Sequence, residues 1–438
     1  MNKYALVIIM SFAGLIGAGT LLLMMPFSTV SGTITFENAL FTATSAVTVT
    51  GLVVVDTSTY FTTGGQTVIM ILIQLGGLGF MTFSIFTILL MSKSVSLKRK
   101  SFIENTFTAG IYKDVNDLIK KIVLMTFAIE FVGALLLYCQ FTNLSGGSRV
   151  FASIFHSIAA FCNAGFSVFT NNLEDYRAHF GINITVMMLI ILGGAGFLVL
   201  NEVNLLLKRK IKSFSKFTLH TKLVIVNTII LVFAGGILIF LEELFNPGNT
   251  LPIGTKLLSS FFHSVSARTA GFNTVSLNTF SNPTIFLLAI LMFIGASPGS
   301  TGGGVKTTAF SVAINYLRSS LKGRDNVETY FRQIPAKTVE KAFIVIIISF
   351  IIITCLHFAL LTFQPGYRFF DLLFETVSAF GTVGLSLGVT SQLTSSAKAV
   401  IIITMFIGRI GPLTLLYALS KKESGAIYHY PEENIMIG

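Results

Sequence analysis

Apolar runs of near-membrane length recur along the whole chain, and no other feature restricts its fold as much. They are Tyr4 to Pro26, Val68 to Met91, Ile122 to Leu137, Ile184 to Leu207, Leu223 to Leu241, Phe343 to Leu361 and Ala399 to Leu419. Most approach or exceed the roughly 20 residues that cross a bilayer as helix. Only 11% of the residues are charged, against about 25% in a soluble domain, so water alone would not keep this chain in solution. The expected class is an all-α integral membrane protein, multi-pass in the plasma membrane. The first run follows Lys3 but is long for a cleaved leader and lacks a small-residue cleavage site, so it is expected to be a retained span. Cys139, Cys162 and Cys355 cannot all pair and lie in or beside apolar runs, which assigns them to packing.

The net charge of +11 is explained by placement. Lys and Arg gather in Ser92 to Lys121, Lys208 to Lys222, Lys306 to Lys341 and at Lys421 and Lys422; with Lys3, these hold 23 of the 30. The positive-inside rule makes these segments cytoplasmic, together with both termini. The basic character is therefore topological, and a nucleic-acid partner is not indicated.

Between the basic segments the chain must go out and return, and each outer segment carries one pattern. Phe41 to Leu52 reads FTATSAVTVTGL, Ile154 to Phe166 reads IFHSIAAFCNAGF, Phe261 to Phe272 reads FFHSVSARTAGF, and Leu373 to Leu385 reads LFETVSAFGTVGL. The shared glycines are Gly51, Gly165, Gly271 and Gly384, spaced by 114, 106 and 113 residues. Self-similarity at a fixed period implies copies of one structural unit. Each copy reads as a span, a re-entrant pore helix with a glycine-bearing loop, and a second span. The expected architecture is thus eight transmembrane helices and four pore helices in four parallel repeats around a central ion pore. The repeats occupy residues 1–95, 115–212, 218–322, with the second span broken at 295–305, and 335–422; a cytoplasmic tail follows at 423–438. The second spans echo one another in QLGGLGF from Gln74, ILGGAGF from Ile191, FIGASPGS from Phe293 and FIGRIGPL from Phe406. The glycines of the first two are assigned to close helix packing.

Non-helical backbone at membrane depth survives only where protein buries it or where it lines a watery cavity, so the four loops must meet. Glycine reaches φ > 0 without steric cost, and rings of carbonyls can replace a cation's water shell. The candidate filter residues are Val49, Thr50 and Gly51; Asn163, Ala164 and Gly165; Thr269, Ala270 and Gly271; and Thr382, Val383 and Gly384. No ring of Asp or Glu stands at these positions, which disfavours a carboxylate calcium filter. The fourth repeat alone carries Thr-Val-Gly, the core of the potassium-channel filter, and the third has one residue fewer than the second between its His and its glycine.

On these motifs the whole chain resembles the Trk/Ktr/HKT superfamily of potassium transporters, nearest to the membrane subunit of Ktr systems. The resemblance implies potassium selectivity, because all four filter positions are glycine. It implies that the polar break Gly295 to Val305, with Gly299, Ser300, Thr301, Gly302, Gly303 and Gly304, gates the cavity below the filter. It also implies a homodimer on a cytosolic ring of RCK domains, met by the basic loops and the tail, with ATP or ADP bound on that partner. No cofactor is expected in this chain itself; potassium, as cargo, is the only metal. The same basic loops can equally meet anionic membrane lipid.

The break nearly matches a phosphate-binding loop, but Val305 spoils the spacing and apolar runs flank it on both sides. Arg409 lies at the matching depth of repeat 4, where an arginine needs a partner, and is expected to anchor the loop through backbone carbonyls. Arg268 is expected to point behind the filter toward a buried acid, with Glu375 a candidate. His156 and His263 are read as structural, as are the acids Glu130 and Glu202. No catalytic constellation is present, so an enzyme is not expected. The alternative reading is an alternating-access sodium/potassium symporter, for which broken helices are also a signature.

Overall fold

The computed structural model describes residues 3–93, 115–208 and 214–411. The basic stretch 94–114, Lys421 and Lys422, and the tail 423–438 fall outside them. The first copy of the repeat comprises α1 (Lys3–Leu23), α2 (Phe36–Val47) and α3 (Thr63–Lys93). The second comprises α4 (Val115–Gln140), α5 (Gly146–Cys162), α6 (Phe180–Ala195) and α7 (Phe197–Lys208). The third holds α8 (Leu219–Phe245), α9 (Ile253–Ser266), α10 (Asn282–Phe293) and α11 (Thr307–Leu321). The fourth holds α12 (Ala336–Phe363), α13 (Phe369–Gly381) and α14 (Ser395–Ile410). Thr35, Thr218, Ser281 and Thr394 start α2, α8, α10 and α14, each accepting a hydrogen bond from a first-turn amide.

Burial is inverted relative to a soluble bundle. The short helices α2, α5, α9 and α13 sit at the centre, and Phe41, Phe155, Phe262 and Phe374 on them are fully enclosed. The long helices turn apolar side chains outward: Leu124 and Phe131 on α4 are 73% and 71% exposed, and Phe350 and Phe358 on α12 are 67% and 72% exposed. Such a surface is stable only against lipid. Within α4, residues Ile119–Gln140 are long and apolar enough to cross a membrane, as are α8 and α12. The pair α6 and α7 passes the same test as one broken span, while Ile9–Leu23, Thr63–Gly79 and α10 are shorter apolar stretches.

Three departures from the sequence expectation have local causes. The second span of repeat 2, expected to be continuous, bends by 101° between α6 and α7. Gly196 takes φ +89° there, and the Phe197 amide donates to the Gly299 carbonyl at 3.1 Å, so the break of repeat 3 is what α7 turns onto. The basic connection before α12 contains a small antiparallel hairpin, β1 (Val327–Thr329) with β2 (Arg332–Ile334), closed by Tyr330 and Phe331, both at positive φ. Left-handed residues at both central positions match the twist of a two-residue hairpin. Arg268 donates to the Thr228 hydroxyl at 3.3 Å, whereas Glu375 accepts from the Ser386 and Thr390 hydroxyls and the Leu387 amide. The expected Arg268–Glu375 pairing is therefore absent: each group bonds inside its own repeat, and the buried Arg268 Nε has no hydrogen-bond partner among the described residues.

Candidate functional site

The four glycine-bearing segments meet as a closed ring. A Cβ placed on Gly51 would stand 2.8 Å from Gly165 Cα, one on Gly165 3.0 Å from Gly271 Cα, one on Gly271 3.1 Å from Gly384 Cα, and one on Gly384 3.1 Å from the Gly51 carbonyl carbon. At every step the carbonyl oxygen preceding the next glycine lies against the current one: Ala164 against Gly51, Ala270 against Gly165, Val383 against Gly271 and Thr50 against Gly384. Four repeats distant in sequence thus present equivalent carbonyls to one another.

The backbone reaches this arrangement by alternating hands. Gly51, Gly165, Gly271 and Gly384 have φ of +91°, +65°, +76° and +93°. Two residues earlier, Val49, Asn163, Thr269 and Thr382 are also left-handed, at +56°, +61°, +75° and +49°. Three of these are β-branched, for which positive φ is a genuine outlier. Strain of about 1–3 kcal/mol per residue persists only where the surroundings over-determine it, and it concentrates at functional positions.

Hydrogen bonds from the short helices supply that determination. Ser45 and Ser378 accept from the amides of Gly51 and Gly384 at 3.0 and 3.1 Å. In repeat 2 the work passes to His156, whose Nε2 lies 2.9 Å from the Ser167 hydroxyl, and in repeat 3 to Ser266, which donates to the Phe272 carbonyl at 2.5 Å. The residue missing from repeat 3 is absorbed at the helix exit. Thr50, Ala164 and Val383 bond to carbonyls five residues back, whereas Ala270 bonds four back to Ser266 at 2.9 Å.

On one side the ring opens into a cavity of about 300 Å³ lined by all four glycines and by Asp56, Asn172, Glu174 and Asn273. Asn273 donates to Glu174 at 2.8 Å, tying repeat 3 to repeat 2. Burial holds the Glu174 carboxyl above the usual carboxylate range, partly offset by that hydrogen bond.

On the other side the ring is closed by the break in repeat 3. Residues Gly299 to Gly304 are buried. The Gly303 amide donates to the Thr382 hydroxyl at 3.0 Å, and a Cβ on Gly302 would stand 3.0 Å from Thr269 Cβ. Thr301 donates through its hydroxyl to the Phe161 carbonyl at 3.2 Å and through its amide to Gly193 at 3.3 Å. The Ser300 hydroxyl turns back on the Ser297 carbonyl at 2.5 Å. Arg409, fully buried at the end of α14, donates to the Thr301 carbonyl and, at 2.8 Å, to that of Gly76 on α3. The sequence-based expectation that it holds the loop through carbonyls matches this geometry. Lys306 donates to the Gly302 carbonyl at 2.6 Å, so a second basic side chain grips the same loop.

Several of these roles are not evident from the sequence. Gly76, Gly193 and Gly408 seat the backbones of Val47, Phe161 and Phe380, the ends of α2, α5 and α13. Their signal is the repeated glycine echo, which general helix packing explains equally well. Lys306 belongs to the P-loop near-match and is otherwise unmarked. Glu130 accepts from Gln74 at 3.1 Å, and Glu202 caps α8 by accepting from the Thr218 amide and hydroxyl at 2.8 Å. Both are structural pairings. His263 lies off the ring, with its Nδ1 2.8 Å from the Ser259 carbonyl.

An apolar outer surface, enclosed short helices and a ring of backbone carbonyls define a multi-pass membrane protein of the ion-transporting class. The sequence pattern described as TrkH, cation transport protein, matches residues 1–430. The chain is 41% identical to the Ktr system potassium uptake protein B of Bacillus subtilis, covering 96% of this chain and 93% of that one. It is 37% identical to the protein of the same description from Vibrio alginolyticus, over 99% and 94% of the two chains. It is 35% identical to the potassium/sodium uptake protein NtpJ of Enterococcus hirae, over 96% and 94%. The crystal structure of the potassium transporter TrkH from Vibrio parahaemolyticus shares the fold, with a TM-score of 0.77 at 18% identity over 96% of this chain and 85% of that one. The chain belongs to the TrkH family of cation transport proteins. These relatives are named as transporters, not enzymes.

Proposed function

We propose that this protein takes up potassium across the plasma membrane through the four-stranded carbonyl ring, and that the loop of repeat 3 is its gate. The observation that carries the reading is the ring itself. Four equivalent carbonyls, held by left-handed residues at two positions per strand, lie each against the next strand's glycine around a closed ring, with no acidic side chain among the twelve filter residues. The filter comprises Val49 to Gly51, Asn163 to Gly165, Thr269 to Gly271 and Thr382 to Gly384. The names of the Ktr relatives support potassium as the ion.

The loop supports gating because it lies across the inner end of the ring and brings a cation, Arg409, and a second basic side chain, Lys306, onto its carbonyls. Positive charge beneath a cation filter opposes passage, so opening must move the loop. Regulation is assigned to a cytosolic RCK ring binding ATP or ADP, with the membrane subunit as a homodimer and both termini cytoplasmic. Sodium is a second permeant or activating ion, a reading favoured by the name of the NtpJ relative.

Uptake of potassium and sodium into proteoliposomes, with and without the cytosolic partner, tests these statements together. Flux that follows the potassium gradient and is stimulated by the partner supports the pore. A fixed reversal potential set by sodium would instead establish an alternating-access symporter.

A further inference from the structure

α13 grips the fourth glycine-bearing strand at two points. Ser378 accepts from the Gly384 amide at 3.1 Å. One turn earlier on the same face of the helix, the fully buried Glu375 accepts from the Ser386 hydroxyl at 2.5 Å, the Leu387 amide at 3.1 Å and the Thr390 hydroxyl at 2.7 Å. A single carboxyl thus ties down the segment that leaves the ring, where Ser386 and Gly388 border the cavity onto which the ring opens. Glu375 stands nine residues before its glycine and Ser386 two after it. The same two positions in repeat 2 are His156 and Ser167, joined at 2.9 Å. In repeat 1 they are Thr42, whose hydroxyl has no hydrogen-bond partner among the described residues, and Val53, whose side chain is apolar. In repeat 3 the shared histidine is His263, packed edge-on against Phe280, and the residue two past the glycine is Asn273, which donates to Glu174 of repeat 2 instead. This tie is therefore made in repeats 2 and 4, which face each other across the ring, and in repeat 4 three bonds replace one.

A carbonyl ring separates cations of one charge by size only as far as its strands resist closing on the smaller ion. A strand bonded on both sides of its glycine has the least freedom to close. We propose that Glu375 is a positioning residue for ion discrimination: by fixing Ser386, Leu387 and Thr390 it keeps the backbone at Val383 and Gly384 from shifting toward sodium. His156 does the same for strand 2 through one bond. The Val383 carbonyl lies against Gly271, so the restraint on strand 4 also reaches strand 3, whose own exit is bonded to another repeat. This inference rests on the filter reading and adds to it a side chain that touches no ion.

Thr390→Val and Ser386→Ala each remove one hydroxyl donor to Glu375 and leave α13 unaltered. Ser386 is partly exposed, so its variant is expected to fold even where the buried Thr390→Val does not. Relative uptake of potassium and sodium is measured on the full-length protein in proteoliposomes, with Gly384→Ser as the reference for the filter and Thr284→Val as the control. Thr284 donates to the buried Glu243 at 2.7 Å, so its variant loses the same kind of bond away from the ring. Discrimination should fall about fivefold in each Glu375-partner variant, chiefly as a lower KM for sodium. Thr284→Val should lower the unfolding temperature by a similar amount and keep discrimination. Unaltered discrimination in both partner variants, beside a loss in Gly384→Ser, would overturn the role of Glu375 and leave the filter standing. An equal loss in Thr284→Val would also overturn it, because general loosening would then suffice. No change in any of these variants, Gly384→Ser included, would remove the filter reading itself.

Discussion

The four ring glycines are constrained twice, by backbone hand and by the neighbouring strand. Gly384 has φ +93°, and a side chain there would run into the Thr50 carbonyl of repeat 1. Serine adds about 1–2 kcal/mol for the left-handed conformation, before any displacement of that carbonyl. Gly384→Ser is therefore expected to lower potassium-over-sodium discrimination about tenfold, the ratio that ~1.4 kcal/mol sets, measured as relative uptake in proteoliposomes. Unaltered discrimination would remove Gly384 from the filter. Glu174 lines the cavity onto which the ring opens. Its carboxyl is raised by burial, so it takes up a proton at a higher pH than an ordinary glutamate. Acidifying the outside through the range just above the usual carboxylate value should neutralise it and slow uptake at low potassium. Glu174→Gln should be slow throughout and lose that pH step, because it lacks the titrating charge that gathers cations. The same shift has a stability consequence: the folded state binds this proton more tightly, so its contribution is present at low pH and fades as pH rises through the folded value.

Among the elements, the second spans differ most. α3 runs unbroken from Thr63 to Lys93, α6 and α7 turn by 101°, and α10 stops at Phe293 to release the loop. The interruption at Gly295 to Val305 was legible, because a proline and five glycines cannot continue a helix. The bend at Gly196 was not, since one glycine in an apolar run is compatible with a helix and only the Gly299 carbonyl beside it selects the turn. Likewise Arg409 advertised a need for partners, while the identities of Thr301 and Gly76 depend on three repeats meeting. Deleting Gly302 and Gly303 is expected to raise potassium flux severalfold, because the Lys306 contact and the bond to Thr382 go together. Arg409→Gln should act in the same direction, by removing a buried charge that binds the loop. Flux unchanged in both variants would contradict the gate.

At the scale of the whole molecule the ring must close between its last and first repeats. There Lys398 on α14 pairs with Glu37 on α2 at 3.2 Å and donates to Asn38 at 2.9 Å, while Ser395 donates to Glu37 at 2.8 Å. The pair is half-buried, so desolvation offsets part of its Coulombic attraction, and closure rests chiefly on the packed short helices and their buried phenylalanines. The proposed cytosolic ring would meet the chain at its basic segments. Removing residues 427–438 is expected to abolish binding of the isolated cytosolic ring, measured by co-sedimentation at low salt. Undiminished binding would move the contact to other basic loops or to lipid.

The sequence by itself determined the solvent and the positive-φ backbone of the four glycine-bearing loops. Hydropathy, period and the conformational reach of glycine are properties of a residue and its near neighbours, and they survive in any packing. Only the tertiary structure decided that Gly51, Gly165, Gly271 and Gly384 follow one another around a ring, that α7 turns onto the loop of the next repeat, and that Arg268 meets Thr228 instead of Glu375. Those pairings join residues 40 to more than 300 positions apart. They are fixed by which carbonyls and hydroxyls a closed, water-poor interior leaves available, and no local pattern records that.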